Sequence, residues 1–139
     1  MKKTVLFLCT HNSARSQMAE GLLRFYHGDE FDAESAGVVS TQVKEHAVKA
    51  MNELGIDMSG HRSKSIEEFR GRMFDYVVTV CDSAKEACPF FPGRKTLHQA
   101  FGDPSDVQGS DKDKMDAFRK SRDEIMNWLE NEFMVMMKN

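Results

Sequence analysis

An α/β fold built on a mainly parallel sheet is predicted by the alternation of elements along the chain, and two further observations bear on its organisation and its functional places. Short apolar runs of strand type alternate with segments of helical period along the chain. Two of the three cysteines, Cys9 and Cys81, directly follow strand-type runs. No internal repeat, proline-rich linker or low-complexity tract interrupts the pattern. Alternating strands and helices bury their apolar faces best with helices packed on a parallel sheet. A length of 139 residues fits one domain, taken here as 1–139.

The elements follow in order. Lys2–Leu8 ends in the apolar run Val5-Leu6-Phe7-Leu8 and reads as a buried strand. Ala14–His27 places Met18, Leu22, Phe25 and Tyr26 at helical spacing, and Gly28 can end that helix. Phe31–Gly37 is a weaker strand. Lys44–Leu54 puts Val43, Ala47, Ala50, Met51 and Leu54 on one side of a helix, with Gly55 as its stop. Asp75–Val80 is a strand around Val77-Val78-Thr79-Val80, and Lys95–His98 is a short fourth one. Lys112–Met136 carries Met115, Phe118, Ile125, Leu129, Phe133 and Met136 near a period of 3.6 and is the strongest helix. The polar stretch Ser105–Lys114 before it reads as a solvated loop, and Glu67, Glu68, Arg70 and Arg72 as a solvated helix face. Packing on the sheet is the simplest role for the tail Phe133-Met134-Val135-Met136-Met137, with a partner surface as the alternative.

Composition narrows the functional classes. A net charge of −3 argues against broad electrostatic binding to nucleic acid or an anionic membrane. The apolar run behind Lys2 and Lys3 stops at Thr10-His11-Asn12, too early for a secretory signal, and no stretch approaches a membrane span. A cytoplasmic monomer is expected. Three cysteines do not pair evenly, so Cys9, Cys81 and Cys88 are thiols of a reducing compartment or parts of a redox cycle. With no C-x-x-C, H-x-H or His–Cys cluster at zinc spacing, neither a metal nor a cofactor is expected.

In parallel sheets the functional loops lie beyond the carboxyl ends of the strands. Cys9-Thr10-His11-Asn12-Ser13-Ala14-Arg15-Ser16 links the first strand to the first helix with the spacing C-x5-R. Its residues are mostly small and feed into a helix N-terminus, where unpaired N–H groups and the helix dipole favour a tetrahedral oxyanion. Arg15 can grip such an anion through two parallel hydrogen bonds. The same field favours a thiolate at Cys9, to which Ser16 can donate. A thiolate at the base of an anion site suits attack on phosphorus or arsenic. The plainer alternative is a buried, inert cysteine after an apolar strand. His11 is either a general base or a loop residue pointing to solvent.

Cys9–Ser16, continued by Gln17-Met18-Ala19-Glu20-Gly21, resembles the arsenate reductases built on the low-molecular-weight protein tyrosine phosphatase fold. Glu34-Ser35-Ala36-Gly37, Gly55-Ile56-Asp57, Val77-Val78-Thr79-Val80-Cys81, Cys88-Pro89 and Asp103-Pro104 extend the likeness over nearly the whole chain. The resemblance implies a three-layer fold, a four-stranded parallel sheet flanked by helices. It also implies reduction of arsenate to arsenite, as in arsenic detoxification, with thioredoxin as the electron donor. In the implied reaction Cys9 attacks arsenic, Cys81 attacks the Cys9 sulfur as arsenite leaves, and Cys88 then takes over Cys81. The Cys81–Cys88 disulfide that results is reduced by thioredoxin. Asp82–Ala87 could form a short helix in the reduced protein. Residues seven apart on a helix stand about 10.5 Å apart along its axis, whereas a disulfide needs Cα atoms within about 7 Å. Such a helix would have to unwind for the disulfide to close.

The resemblance also assigns acid–base work to Asp103, for which an Asx-turn role before Pro104 is the alternative. It places a potassium ion beside the anion loop, with Asn12, Glu20 and Ser35 as matching ligands and an acidic residue at a fourth place. Lys64 stands at that place. Its ammonium group could replace the ion near Glu20, unless it simply faces solvent. Two other functions stay open. One is a tyrosine phosphatase of the same fold, although Gln17 and Ser105 replace the proline and the aromatic residue usual in those relatives. The other is a non-catalytic redox sensor that binds anions without turnover.

Overall fold

Strand β1 (Lys3–Cys9) is the axis of the molecule. The computed structural model describes residues 2–82, 86 and 89–138. In it, β2 (Phe31–Gly37) lies parallel to β1 along its whole length, with Lys3 opposite Phe31 and Cys9 opposite Gly37. β3 (Phe74–Thr79) pairs on the other side, Val5 opposite Tyr76 and Leu8 opposite Thr79. β4 (Gly93–His98) completes a parallel sheet of order β2-β1-β3-β4. The connections diverge on either side of β1, so the crevice beyond the ends of β1 and β3 is a topological switch point.

Side-chain alternation along β1 sorts the core into two faces. Val5, Phe7 and Cys9 point to one cluster, and Leu6 and Leu8 to the other. All five are buried. A strand apolar on both faces is stable only inside a sheet covered on both sides. Fully burying one such side chain contributes about 1.5–3 kcal/mol. The first face is covered by α1 (Arg15–His27), α2 (Glu45–Asn52) and α3 (Asp111–Trp128), through Met18, Leu22, Ala47, Met51, Phe118 and Ile125. The second face has a thinner cover, formed by Phe69 of the 3-10 turn Ile66–Phe69 together with Phe74 and Phe91. Helices, sheet and this cover make the three layers.

Four details differ from the sequence expectation. Phe25 and Tyr26 are exposed and pack edge to face on each other, with ring centroids 5.0 Å apart. The polar stretch after Ser105 ends in a helix start. Ser110 caps Asp113 N–H and the Asp113 carboxylate caps Ser110 N–H, so α3 begins at Asp111. Arg72 is not a helix-face residue, because its guanidinium lies over the Phe74 ring at 4.6 Å. Finally, the last helix widens into a π turn at Leu129–Phe133 before continuing as α4 (Met134–Lys138). A wide turn uses an extra residue and advances the buried face by one position. Phe133 and Met134 therefore stay in the core while Met136 turns outward. The expected helix at Asp82–Ala87 lies largely outside the described residues.

Candidate active site

The loop from Cys9 to Ser16 turns on Asn12, the one described non-glycine residue with positive φ, at 52°. Asparagine tolerates this left-handed conformation better than most residues. Here its side chain is pinned from three sides. Asn12 Nδ2 donates to Ser16 Oγ at 2.9 Å. Asn12 Oδ1 accepts from Lys64 N at 2.8 Å and from Gln17 Nε2 at 2.9 Å. Gly37 lets the end of β2 approach the loop, since a Cβ there would lie 2.7 Å from Thr10 O and 2.8 Å from Asn12 N. Val38 N then donates to Thr10 O at 2.9 Å.

α1 begins without a side-chain cap, because Ala14 at its N-cap has no side-chain oxygen. Its first N–H groups have no side-chain cap, in contrast to the double cap that closes α3, an arrangement that can serve an anion. Cys9 sits at the base of the loop, 2 % exposed and with a free thiol, and Ser16 Oγ lies 2.8 Å from its sulfur. His11 is exposed on the outer side, as expected for a solvent-pointing loop residue, while its carbonyl accepts from Ser63 Oγ at 3.0 Å.

Arg15 is buried at the loop mouth, with two carboxylates and a backbone carbonyl against its guanidinium. Its Nη1 donates to Glu86 Oε2 at 2.8 Å and to Phe101 O at 3.1 Å. Nη2 donates to Glu86 Oε1 at 3.0 Å and lies 3.6 Å from Asp103 Oδ2. Burial works against the guanidinium charge, but the bond to Glu86 and the fields of Asp103 and Cys9 outweigh it. Asp103 also accepts from Ser105 N at 2.9 Å. The turn role and the position beside Arg15 thus coexist in one residue.

The second cysteine stands beyond the neighbouring strand end. Leu8 is opposite Thr79, and Val80 N donates to Leu8 O at 2.9 Å. Cys81, two residues beyond the end of β3, therefore comes one residue past the level of Cys9, and both lie in one buried cluster. Cys81 is disulfide-bonded. Cys88 lies outside the described residues.

Beneath the loop, the Glu20 carboxylate is enclosed by donors. Ser35 Oγ donates to it at 2.6 Å, Lys64 Nζ lies at 3.5 Å, and His61 Nδ1 and Arg24 Nη2 lie at 3.6 and 3.4 Å. Lys64 does not face solvent, since its side chain is only 8 % exposed and also donates to Arg62 O at 3.3 Å. Asn12, Glu20, Ser35 and Lys64 are thus brought together. This set does not fit a potassium ion. The Asn12 oxygen already accepts two N–H donors, and the side of Glu20 facing Lys64 meets an ammonium group instead of a vacant cage.

Three residues of the site were given no role in it by the sequence. Gln17 links Asn12, Arg62 O and His61 through bonds of 2.9 Å each. Burial pushes the His61 imidazole below its ordinary value, partly offset by Glu20, so the ring is neutral near pH 7. Glu86 is the third, and its only sequence signal is an acidic residue between two thiols.

The family described as low molecular weight phosphotyrosine protein phosphatase matches residues 4–138. The chain belongs to this family. Within it, the chain is 47 % identical over 125 residues to an arsenate reductase of Halalkalibacterium halodurans, covering 89 % of this chain and 90 % of that one. A solved arsenate reductase in its oxidised state superposes with a TM-score of 0.77 at 30 % identity, covering 93 % of this chain and 95 % of that one. A thioredoxin-dependent arsenate reductase of Corynebacterium glutamicum superposes with a TM-score of 0.66 at 25 % identity, covering 99 % of this chain and 64 % of that one.

Proposed function

We propose that this enzyme reduces arsenate to arsenite, in the service of arsenic detoxification, and is regenerated by thioredoxin. The observation that carries this reading is a pair of sulfurs at one switch point. Cys9 is a free thiol at the base of an anion loop, and Cys81, one residue past its level beyond the end of β3, is disulfide-bonded. Relatives named arsenate reductase support the substrate, and a relative described as thioredoxin-dependent supports the electron donor.

The chemistry proceeds as three thiol displacements. The oxyanion is held by the loop N–H groups and Arg15 while the Cys9 thiolate attacks arsenic. An oxygen departs as water after protonation, for which Asp103 is the acid beside Arg15. Cys81 then attacks the Cys9 sulfur. The electron pair of the sulfur–arsenic bond stays with arsenic, which leaves as arsenite, and a Cys9–Cys81 disulfide remains. Cys88 attacks Cys81 and frees the Cys9 thiolate. The dithiol of thioredoxin reduces the final disulfide, supplying the two electrons of the cycle. Ser16 steadies the Cys9 sulfur, and Lys64 with Glu20, Ser35 and Asn12 steadies the loop.

Cys9, Arg15 and Asp103 would also suffice for hydrolysis of a phosphate ester, and the family description favours testing it. One assay separates the two. Arsenate-dependent NADPH oxidation with thioredoxin and its reductase is measured beside aryl phosphate hydrolysis. Turnover in the first assay is expected, with at most a side activity in the second. Hydrolysis alone would make the protein a phosphatase.

A further inference from the structure

We propose that Glu86 is an internal anion which occupies Arg15 while Cys81 is disulfide-bonded, closing the loop to oxyanions until the disulfide is reduced. This rests on the oxyanion site argued above.

The geometry is that of a substrate mimic. The Glu86 carboxylate meets Arg15 fork to fork, at 2.8 and 3.0 Å, and accepts from Thr10 Oγ1 at 2.6 Å. Thr10 is the first residue of the anion loop after Cys9. Paired N–H donors on a carboxylate use the same amino groups that would grip an arsenate or phosphate. With Nη1 also bonded to Phe101 O and Nη2 beside Asp103, both amino groups are engaged. An incoming oxyanion must displace Glu86 to obtain a two-point grip. The carboxylate is ionised at any working pH, since the bonds from Arg15 and Thr10 hold it down at about 2.

Glu86 is also mechanically tied to the thiol chemistry. It lies between Cys81 and Cys88 in the chain. Its backbone N donates to Asp82 O at 2.9 Å, and Asp82 N donates back to Glu86 Oε2 at 3.3 Å. Asp82 directly follows the disulfide-bonded Cys81. Closing or opening a disulfide at Cys81 therefore moves the anchor on which the carboxylate stands. Reduction by a dithiol adds two electrons and two protons and leaves two thiols, while the dithiol becomes a disulfide. Competing oxyanions such as phosphate would thus be kept out until the thiols are restored.

Sulfate is a suitable probe, because it neither titrates near neutrality nor accepts electrons from thiols. Its affinity is measured by calorimetry on oxidised and dithiothreitol-reduced protein, for the wild type and for Glu86→Gln. The amide keeps the shape but loses the charge-assisted pair, a loss worth about tenfold or more in competition for Arg15. Oxidised Glu86→Gln should bind sulfate at least tenfold more tightly than the oxidised wild type, and the two reduced proteins should differ little. Equal affinities in the oxidised pair would overturn the proposal, including the case where Glu86→Gln only lowers stability. An equal gain in both redox forms would overturn the link to the disulfide. Failure of every form to bind sulfate would sink the oxyanion site itself, whereas absent arsenate turnover with the expected sulfate pattern would leave this inference standing.

Discussion

Ser16 Oγ lies 2.8 Å from Cys9 Sγ and accepts at 2.9 Å from Asn12 Nδ2, which leaves its own proton free to donate to a Cys9 thiolate. A hydroxyl in this position stabilises the thiolate without competing for the substrate. Ser16→Ala should retain the fold and lower turnover by about tenfold, in the range expected for a hydrogen bond to a charged group. Alkylation of Cys9 by iodoacetamide at one fixed pH should be slower in the variant. An unchanged rate would remove Ser16 from this role.

Cys9→Ser should abolish arsenate reduction, since an alcohol is a far weaker nucleophile than a thiolate. Arg15→Lys should lose activity by about a hundredfold or more, because an ammonium cannot make the two-point grip. Steady-state rates in the coupled assay test both. Near-normal turnover in either variant would remove the anion-loop assignment.

Lys64 and Glu20 form a nearly buried ion pair at 3.5 Å. Turnover should be the same in sodium and in potassium at constant ionic strength. Lys64→Asp should acquire stimulation by potassium, and Lys64→Met should lose about 1–2 kcal/mol of stability, less than for a buried charge left wholly unpaired, because Arg24 still stands 3.4 Å from Glu20. Strong stimulation of the wild type by potassium would contradict the role given to the ammonium group.

His61 links the Glu20 cluster to pH. Its folded value is depressed below 6.5, chiefly by burial, so the unfolded chain binds more protons as pH falls through that value. Stability is therefore lost on acidification. The depressed carboxylate of Glu86 contributes stability above 4.5 that is lost only as pH falls towards about 2, so it is constant over this window. Urea unfolding at pH 7.5 and 5.5 should show a smaller loss in His61→Gln than in the wild type. An identical loss in both would show that His61 does not titrate differently on folding.

The parts of the molecule that were legible in the sequence have local causes. Strand β2 was predicted to the residue because Phe31–Gly37 is bounded by turn residues and a glycine. The anion loop was readable because Cys9, Arg15 and a helix start are close in sequence. Lys64 was located near Glu20 only through a family likeness, since 44 residues separate them. Glu86 was missed because its partner Arg15 lies 71 residues away and no periodicity links them. The start of α3 was placed within one residue, at Lys112 against Asp111, but its capping was not foreseen, because Ser110 and Asp113 look like loop residues until their reciprocal bonds are seen. The π turn was invisible for a similar reason, since Phe133 and Met136 both fit a regular helix on spacing alone.

The central claim is that Cys9 and Cys81 together expel arsenite before Cys88 acts. A single turnover of fully reduced Cys88→Ser with excess arsenate tests it, with arsenite quantified and the peptides mapped by mass spectrometry. One equivalent of arsenite per protein is predicted, with Cys9 joined to Cys81. No arsenite, or a full equivalent released with Cys9 and Cys81 both still free thiols, would contradict the account.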